Sequence, residues 1–144
     1  FKTAKKYGCS LIFPEDVATG KDKIDSPKIR KIDEIENDDL ILDIGPETTK
    51  KIENLIDNSK TVLWNGPAGY FENPNFAKGS YRIAKKIAEK CKDDSFYSVA
   101  GGGDTIAVLN LTNTLRYFNF GSTAGGAFLE YLEGKELAGI KALN

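Results

Sequence analysis

Phe96-Tyr97-Ser98-Val99-Ala100-Gly101-Gly102-Gly103-Asp104-Thr105-Ile106-Ala107-Val108-Leu109 is an apolar run, a triple-glycine turn and a second apolar run with no break between them. The aromatic and β-branched first half predicts a strand over 96–100, and the second half predicts a helix from about Asp104 to Leu111. A strand passing so abruptly into a helix is half of a βα unit, and a strand without polar alternation reads as one covered on both faces. That pattern points to helices packed around a parallel sheet.

Working outward, four more runs read as strands: Ser10-Leu11-Ile12-Phe13, Leu40-Ile41-Leu42-Asp43-Ile44, Thr61-Val62-Leu63-Trp64 and Tyr117-Phe118-Asn119-Phe120. Between Phe76 and Cys91, residues Phe76, Ile83, Ala84, Ile87, Ala88 and Cys91 fall on one helical face. Lys78, Arg82, Lys85, Lys86, Glu89 and Lys90 fall on the other, which reads as a solvated face rather than an anion site. Pro46 opens another helix, with Ile52, Leu55 and Ile56 inward and Asn58-Ser59 as its stop. A fourth helix is expected from about Gly125 to Tyr131. From Thr19 to Asp39 the chain is charged and strand-poor, an excursion with room for a short edge hairpin.

The composition excludes several classes of function. Twenty Lys plus Arg against 21 Asp plus Glu give a net charge of −1 over 144 residues, which offers no basic footprint for nucleic acid or an anionic membrane. With no His, a Ser-His-Asp or Cys-His nucleophile and imidazole-held metals are ruled out. Cys9 and Cys91 form no CxxC motif and read as free, buried thiols of a cytoplasmic protein. Asn110-Leu111-Thr112 matches a glycosylation sequon without any companion signal of secretion. No Met occurs, and the chain opens on Phe1 without a signal-peptide pattern, so it reads as one domain cut from something longer.

Three turns follow predicted strands, where ligands of open α/β sheets bind. Gly101-Gly102-Gly103-Asp104-Thr105 brings backbone N–H groups and a helix N-terminus to one place, which suits a phosphate, and Asp104 beside a phosphate calls for Mg²⁺. Taken alone, it reads first as a tight turn with Asp104 as helix cap. Gly121-Ser122-Thr123-Ala124-Gly125-Gly126-Ala127 repeats the design, and the repetition favours a phosphoryl-transfer site. Neither turn is a Walker A or a GxGxxG motif. Trp64-Asn65-Gly66-Pro67-Ala68-Gly69-Tyr70-Phe71-Glu72 reads as a rigid loop with an apolar face for a flat base and a carboxylate for ribose hydroxyls, or as a packed Ω-loop.

Together with Asp43-Ile44-Gly45-Pro46-Glu47-Thr48 and Pro14-Glu15-Asp16, these segments resemble, in order and spacing, the C-terminal nucleotide-binding domain of phosphoglycerate kinases. The resemblance covers essentially all of 1–144. It implies an α/β, parallel-sheet, Rossmann-like three-layer nucleotide-binding domain truncated at its N-terminal side. It also implies reversible phosphoryl transfer between 1,3-bisphosphoglycerate and ADP, giving 3-phosphoglycerate and ATP in glycolysis. Asn65, Pro67, Tyr70, Glu72, Gly101, Gly102, Gly103, Asp104 and Thr105 would then bind nucleotide. Asp104 would hold the Mg²⁺ of the metal-nucleotide, and Gly125 and Gly126 would present N–H groups to the phosphoryl group in flight. Such chemistry needs no side-chain nucleophile. The full-length enzyme is expected to be a cytoplasmic monomer that holds phosphoglycerate on an N-terminal domain absent here, so the 144 residues alone are expected to be inactive.

Two positions depart from the family's pattern. Ala124 stands where a glycine is usual, at a cost if the position needs positive φ, and Ala138 stands where proline is common. Two other readings compete: a non-catalytic nucleotide-binding or interaction module of the same fold, and a doubly wound domain whose glycine turns are all structural.

Overall fold

The computed structural model describes residues 1–143. Helix α1 (Lys2–Lys6) is followed by β1 (Asp16–Gly20), β2 (Lys28–Lys31), β3 (Leu40–Ile44), α2 (Pro46–Asp57) and β4 (Thr61–Asn65). Then come α3 (Lys78–Lys90), β5 (Tyr97–Gly101), α4 (Gly103–Leu111), β6 (Phe120–Ser122), α5 (Gly126–Leu132) and α6 (Ala138–Lys141).

β4, β5 and β6 form a parallel sheet in that order, with Asn65 opposite Gly101 and Gly101 opposite Ser122 at the carboxyl ends. On one face Trp64 and Ala100 meet Ile83 and Ile87 of α3 and Val108 and Leu109 of α4, all buried. Over the other face α5 begins a third layer: a Cβ at Gly101 would lie 3.1 Å from Phe128 Cδ1. The expected α/β class with a parallel sheet is therefore what the chain forms. α3 lies as its periodicity predicts, with Phe76, Ile83, Ala84, Ile87 and Ala88 buried. Its basic face is tied to α2, Arg82 to Glu53 and Lys86 to Asp57.

The remaining strands depart from the expectation. β1 pairs antiparallel with both β2 and β3, so Leu40–Ile44 belongs to a second, antiparallel sheet of order β2-β1-β3. The hairpin foreseen within 19–39 is β1 and β2, but β1 starts at Asp16 and all five of its residues are buried. Ser10–Phe13 is not a strand. Leu11, Ile12 and Phe13 are exposed, and an apolar run without a neighbour to bond remains irregular. β6 lies three residues later than predicted, because residues 115–117 coil into a 3-10 turn. Leu55 is exposed rather than inward, while Ile56 is buried. Of the two free thiols expected to be buried, Cys9 is exposed and Cys91 half-buried.

Candidate functional site

The strand ends of the parallel sheet converge on one side chain. Asn65 closes β4, and a Cβ placed on Gly101, Gly102 or Gly125 would come to 2.8, 3.4 or 3.6 Å of Asn65 Oδ1. A Cβ on Gly125 would also lie 3.3 Å from Gly102 Cα, so all three glycine-bearing turns meet at the Asn65 amide, most tightly at Gly101. Gly102 has φ +94, a region open to glycine and costly for other residues, and its N–H donates to Ser122 O at 2.9 Å. Thr105, fully buried, accepts a 2.7 Å hydrogen bond from Gly66 N, which ties the loop after β4 to the first turn of α4. Gly103 and Gly126 border open space, with nothing within 4 Å of a Cβ at either.

The helices beginning at strand ends differ in how their amino ends are satisfied. Asp16 of β1 reaches across to α2, its carboxylate accepting from Glu47 N at 3.0 Å and Thr48 N at 2.7 Å. Asp43 of β3 does the same for α3, accepting from Gly79 N at 2.9 Å. Neither helix has a local side-chain cap. α4 has no local cap either, and among the described residues no carboxylate arrives from elsewhere. Asp104 is exposed in its first turn, makes no cap hydrogen bond and has no ion pair among the described residues, so its reading as a helix cap is not realised. The amino end of α4 is thus left with free N–H donors.

Residues 66–72 fold into a loop held at three points: Gly66 N to Thr105 Oγ1 at 2.7 Å, Ala68 N to Ser80 Oγ at 2.9 Å, and Tyr70 N to Leu42 O at 2.7 Å. Pro67 and Tyr70 line a cavity of about 390 Å³ with Pro14, Val17, Ile41 and Leu42. Its walls are mostly apolar, as a site for a flat ring requires. Asn65 and Glu72 are exposed at the two ends of this loop. One contact that sequence reasoning missed is Lys23, whose Nζ lies 4.7 Å from the centroid of the Tyr70 ring and whose carbonyl accepts from Asn73 Nδ2 at 2.6 Å. A lysine in a charged excursion gives no local signal of that placement.

Glu36, Asp38 and Asp39 bring carboxylate oxygens within 4.8 Å of one another, a spacing that suits a cation. Protein cations already serve them: Lys21 Nζ lies 2.9, 2.5 and 3.1 Å from the three, and Arg30 donates to Glu36 at 2.6 Å and lies 2.8 Å from Asp39 as an ion pair. The donor set around Asp104 is different. One exposed carboxylate beside free N–H groups matches the way Mg²⁺ is held when substrate phosphates and waters supply its other ligands.

An α/β domain of the parallel-sheet class, with glycine turns gathered at its strand ends, is what the geometry defines. The chain belongs to the phosphoglycerate kinase family. The family profile described as phosphoglycerate kinase matches residues 1–135. The chain is 46% identical over 145 residues to the phosphoglycerate kinase of Zymomonas mobilis, covering 99% of this chain and 36% of that one. It is 46% identical over 142 residues to that of Caulobacter vibrioides, covering 97% and 36%. Among solved structures, phosphoglycerate kinase from Coxiella burnetii superposes with a TM-score of 0.85 at 37% identity, over 97% of this chain and 36% of that one. The chain thus spans about a third of the length of the curated relatives it matches.

Proposed function

We propose that the chain is the C-terminal part of a phosphoglycerate kinase nucleotide-binding domain, and that its glycine turns hold the phosphates of Mg·ADP or Mg·ATP. The observation that carries this reading is the uncapped amino end of α4. Two neighbouring helices have a buried carboxylate brought to their first turn from a distant strand, while α4 opens beside Asn65, Gly102 and Gly125 with its donors free. An anion is what such an end lacks.

In the complete enzyme the phosphoryl group of 1,3-bisphosphoglycerate passes to ADP. The bond from phosphorus to the carboxyl oxygen breaks, a bond to a terminal ADP oxygen forms, and 3-phosphoglycerate leaves as its carboxylate. Bound Mg²⁺ would neutralise charge on the nucleotide phosphates, with Asp104 as its protein ligand. Gly101, Gly102, Gly103 and Thr105 shape the phosphate turn, and Gly125 and Gly126 offer N–H groups to the group in transfer. Pro67 and Tyr70 flank the base, Glu72 accepts from the ribose hydroxyls, and Asn65 fixes the three turns relative to one another. Phosphoglycerate would be held by a part of the enzyme beyond these residues, in the cytoplasm, and no helix among the described residues is long and apolar enough to cross a membrane.

The test is a titration of the ¹⁵N-labelled chain with Mg·ADP, followed by amide shifts, alongside Asp104→Ala and Glu72→Ala. Saturable shifts at Gly101 to Thr105, weakened in both variants, are expected. Amides in that turn that stay still up to millimolar Mg·ADP would sink the reading.

A further inference from the structure

Asp43 is buried, 2% exposed, and sits between two backbones that approach it more closely than any side chain allows. A Cβ on Gly69 would come to 2.5 Å of its Oδ1, and a Cβ on Gly79 to 2.6 Å. Gly79 lies in the first turn of α3, and Gly69 belongs to the loop that carries Pro67 and Tyr70. The carboxylate accepts from Gly79 N and, through Oδ1, from its own neighbour Ile44 N at 2.9 Å. The preceding residue, Leu42, accepts from Tyr70 N at 2.7 Å. Asp43 also lines the cavity of about 390 Å³ next to Pro67 and Tyr70.

A helix cap alone needs contact with the helix only. Here the same carboxyl group is wedged against the loop, on the strand that bonds the loop's backbone, and faces the cavity between them. We infer that Asp43 is a positioning residue for the base-binding pocket, setting the 66–72 loop against the amino end of α3 so that Pro67 and Tyr70 keep their spacing from Leu42. The inference rests on the nucleotide reading above and goes beyond it by giving a role to a residue outside the glycine turns.

The geometry supplies its own reporter. Burial pushes the Asp43 carboxyl up to about 6, against the pull of the Gly79, Ile44 and Lys78 N–H groups and the Lys78 charge. Lys78 and Arg82 of α3 line the neighbouring cavity that Asp43 also borders, β1 places uncharged Ala18 opposite it, and the loop brings Tyr70. Protonation relieves the cost of burying the charge but weakens the hydrogen bonds from Gly79 N and Ile44 N, so the loop is held less firmly against the helix.

The experiment follows the amides of Gly69, Tyr70 and Gly79 from pH 4.5 to 7.5 in the 144-residue chain and in Asp43→Asn. Mg·ADP titrations at pH 5 and 7.5 accompany both. The three amides should share one midpoint near pH 6 that is absent from the variant. The dissociation constant of Mg·ADP should rise at least fivefold from pH 7.5 to 5 beyond any change in the variant, which carries the same titration of ADP itself. Movement of Gly79 alone would make Asp43 a helix cap and overturn the inference. A shared midpoint with no Mg·ADP shift anywhere in 65–72 would overturn it by removing the nucleotide site, an outcome distinct from the first. The wild-type pH series decides between them even if the variant fails to fold.

Discussion

Asp16 and Thr48, 32 residues apart, bind each other from both sides: the Asp16 carboxylate accepts from Thr48 N and Thr48 Oγ1, each at 2.7 Å, while Asp16 N donates to Thr48 Oγ1 at 3.1 Å. With Glu47 N at 3.0 Å, this one carboxylate satisfies the first turn of α2 and fastens it to β1. Asp16→Ala strands the buried Thr48 amide and the part-buried Glu47 amide, while Thr48 Oγ1 keeps the Asp16 carbonyl at 2.9 Å. A lost cap costs up to about 2 kcal/mol and each unsatisfied buried group about 1 kcal/mol or more, so a loss of roughly 3 kcal/mol is expected, a fall of about 9 °C in Tm. Asp16→Asn, which keeps one acceptor, should lose about half of that. Equal melting of Asp16→Ala and wild type in a calorimeter would show that α2 is held by packing alone.

The same carboxylate and Asp43 pull stability in opposite directions with pH. Burial works to raise the Asp16 pKa, but donors from Thr48 and Glu47 outweigh it and hold it below the ordinary 3.8, so its stabilisation is present above 3.8 and lost as pH falls further. Asp43 is raised from 3.8 to about 6, so its protonated form favours the fold, fully below 3.8 and progressively less as pH climbs through 6. Between pH 7.5 and 5 only Asp43 is in its window. Linkage then gives a gain of about 1.4 kcal/mol on acidification, or roughly 4 °C in Tm, which Asp43→Asn should abolish. A wild-type Tm that is flat or falling from pH 7.5 to 5 would contradict the buried, raised carboxyl.

Thr105 offers a test of how the loop after β4 is joined to the glycine turn. Its hydroxyl is the acceptor for Gly66 N at 2.7 Å in a fully buried position. Thr105→Val keeps the shape and removes the acceptor, which should cost roughly 1–3 kcal/mol and raise amide exchange at Gly66. Thr105→Ser keeps the hydroxyl and should restore protection at Gly66 while losing only the methyl's packing. If Val and Ser protect Gly66 equally, the hydrogen bond is not what fixes the loop.

How much of this was legible follows from the range of the forces involved. β4, α3, β5 and α4 were readable to within a residue or two because their apolar periodicity and their glycine stops are local. β1 was not: Asp16-Val17-Ala18-Thr19-Gly20 contains poor strand formers and is a strand only because β2 and β3 bond it on both edges. Ser10–Phe13 has better composition and no partner. The same distinction separates the site residues. Asn65, Gly101, Gly102 and Gly125 were marked by their own turns, and the structure brings them together. Asp43 and Lys23 act on residues 36 and 47 positions away, and nothing local announces them.

Ala124 settles a question the sequence could only pose. Among the described residues other than glycine, Asn113 is the one with positive φ, so Ala124 adopts a backbone that any residue tolerates. Ala124→Gly should therefore bring no gain. Freeing the unfolded chain should instead cost about 0.4–1 kcal/mol, and Mg·ADP affinity should stay unchanged. A tighter nucleotide complex in Ala124→Gly would show that the family's usual glycine serves the ligand rather than the backbone.

The last expectation concerns the chain as a catalyst. Phosphoryl transfer between two bound substrates depends on holding both in line, which contributes some 7–11 kcal/mol of barrier lowering when geometry is right. The residues gathered here are those proposed for one substrate, and several of the chain's basic side chains are paired with carboxylates away from them: Arg30 with Glu36 and Asp39, Arg82 with Glu53, Lys86 with Asp57, Lys51 with Glu15. The isolated 144 residues should accordingly bind Mg·ADP weakly and give no turnover of 3-phosphoglycerate and ATP in a coupled assay. The rest of a family member's chain, supplied in trans, should restore activity if the two pieces associate. Turnover by the isolated chain, lost in Asp104→Ala, would mean that a single domain of this fold binds both substrates.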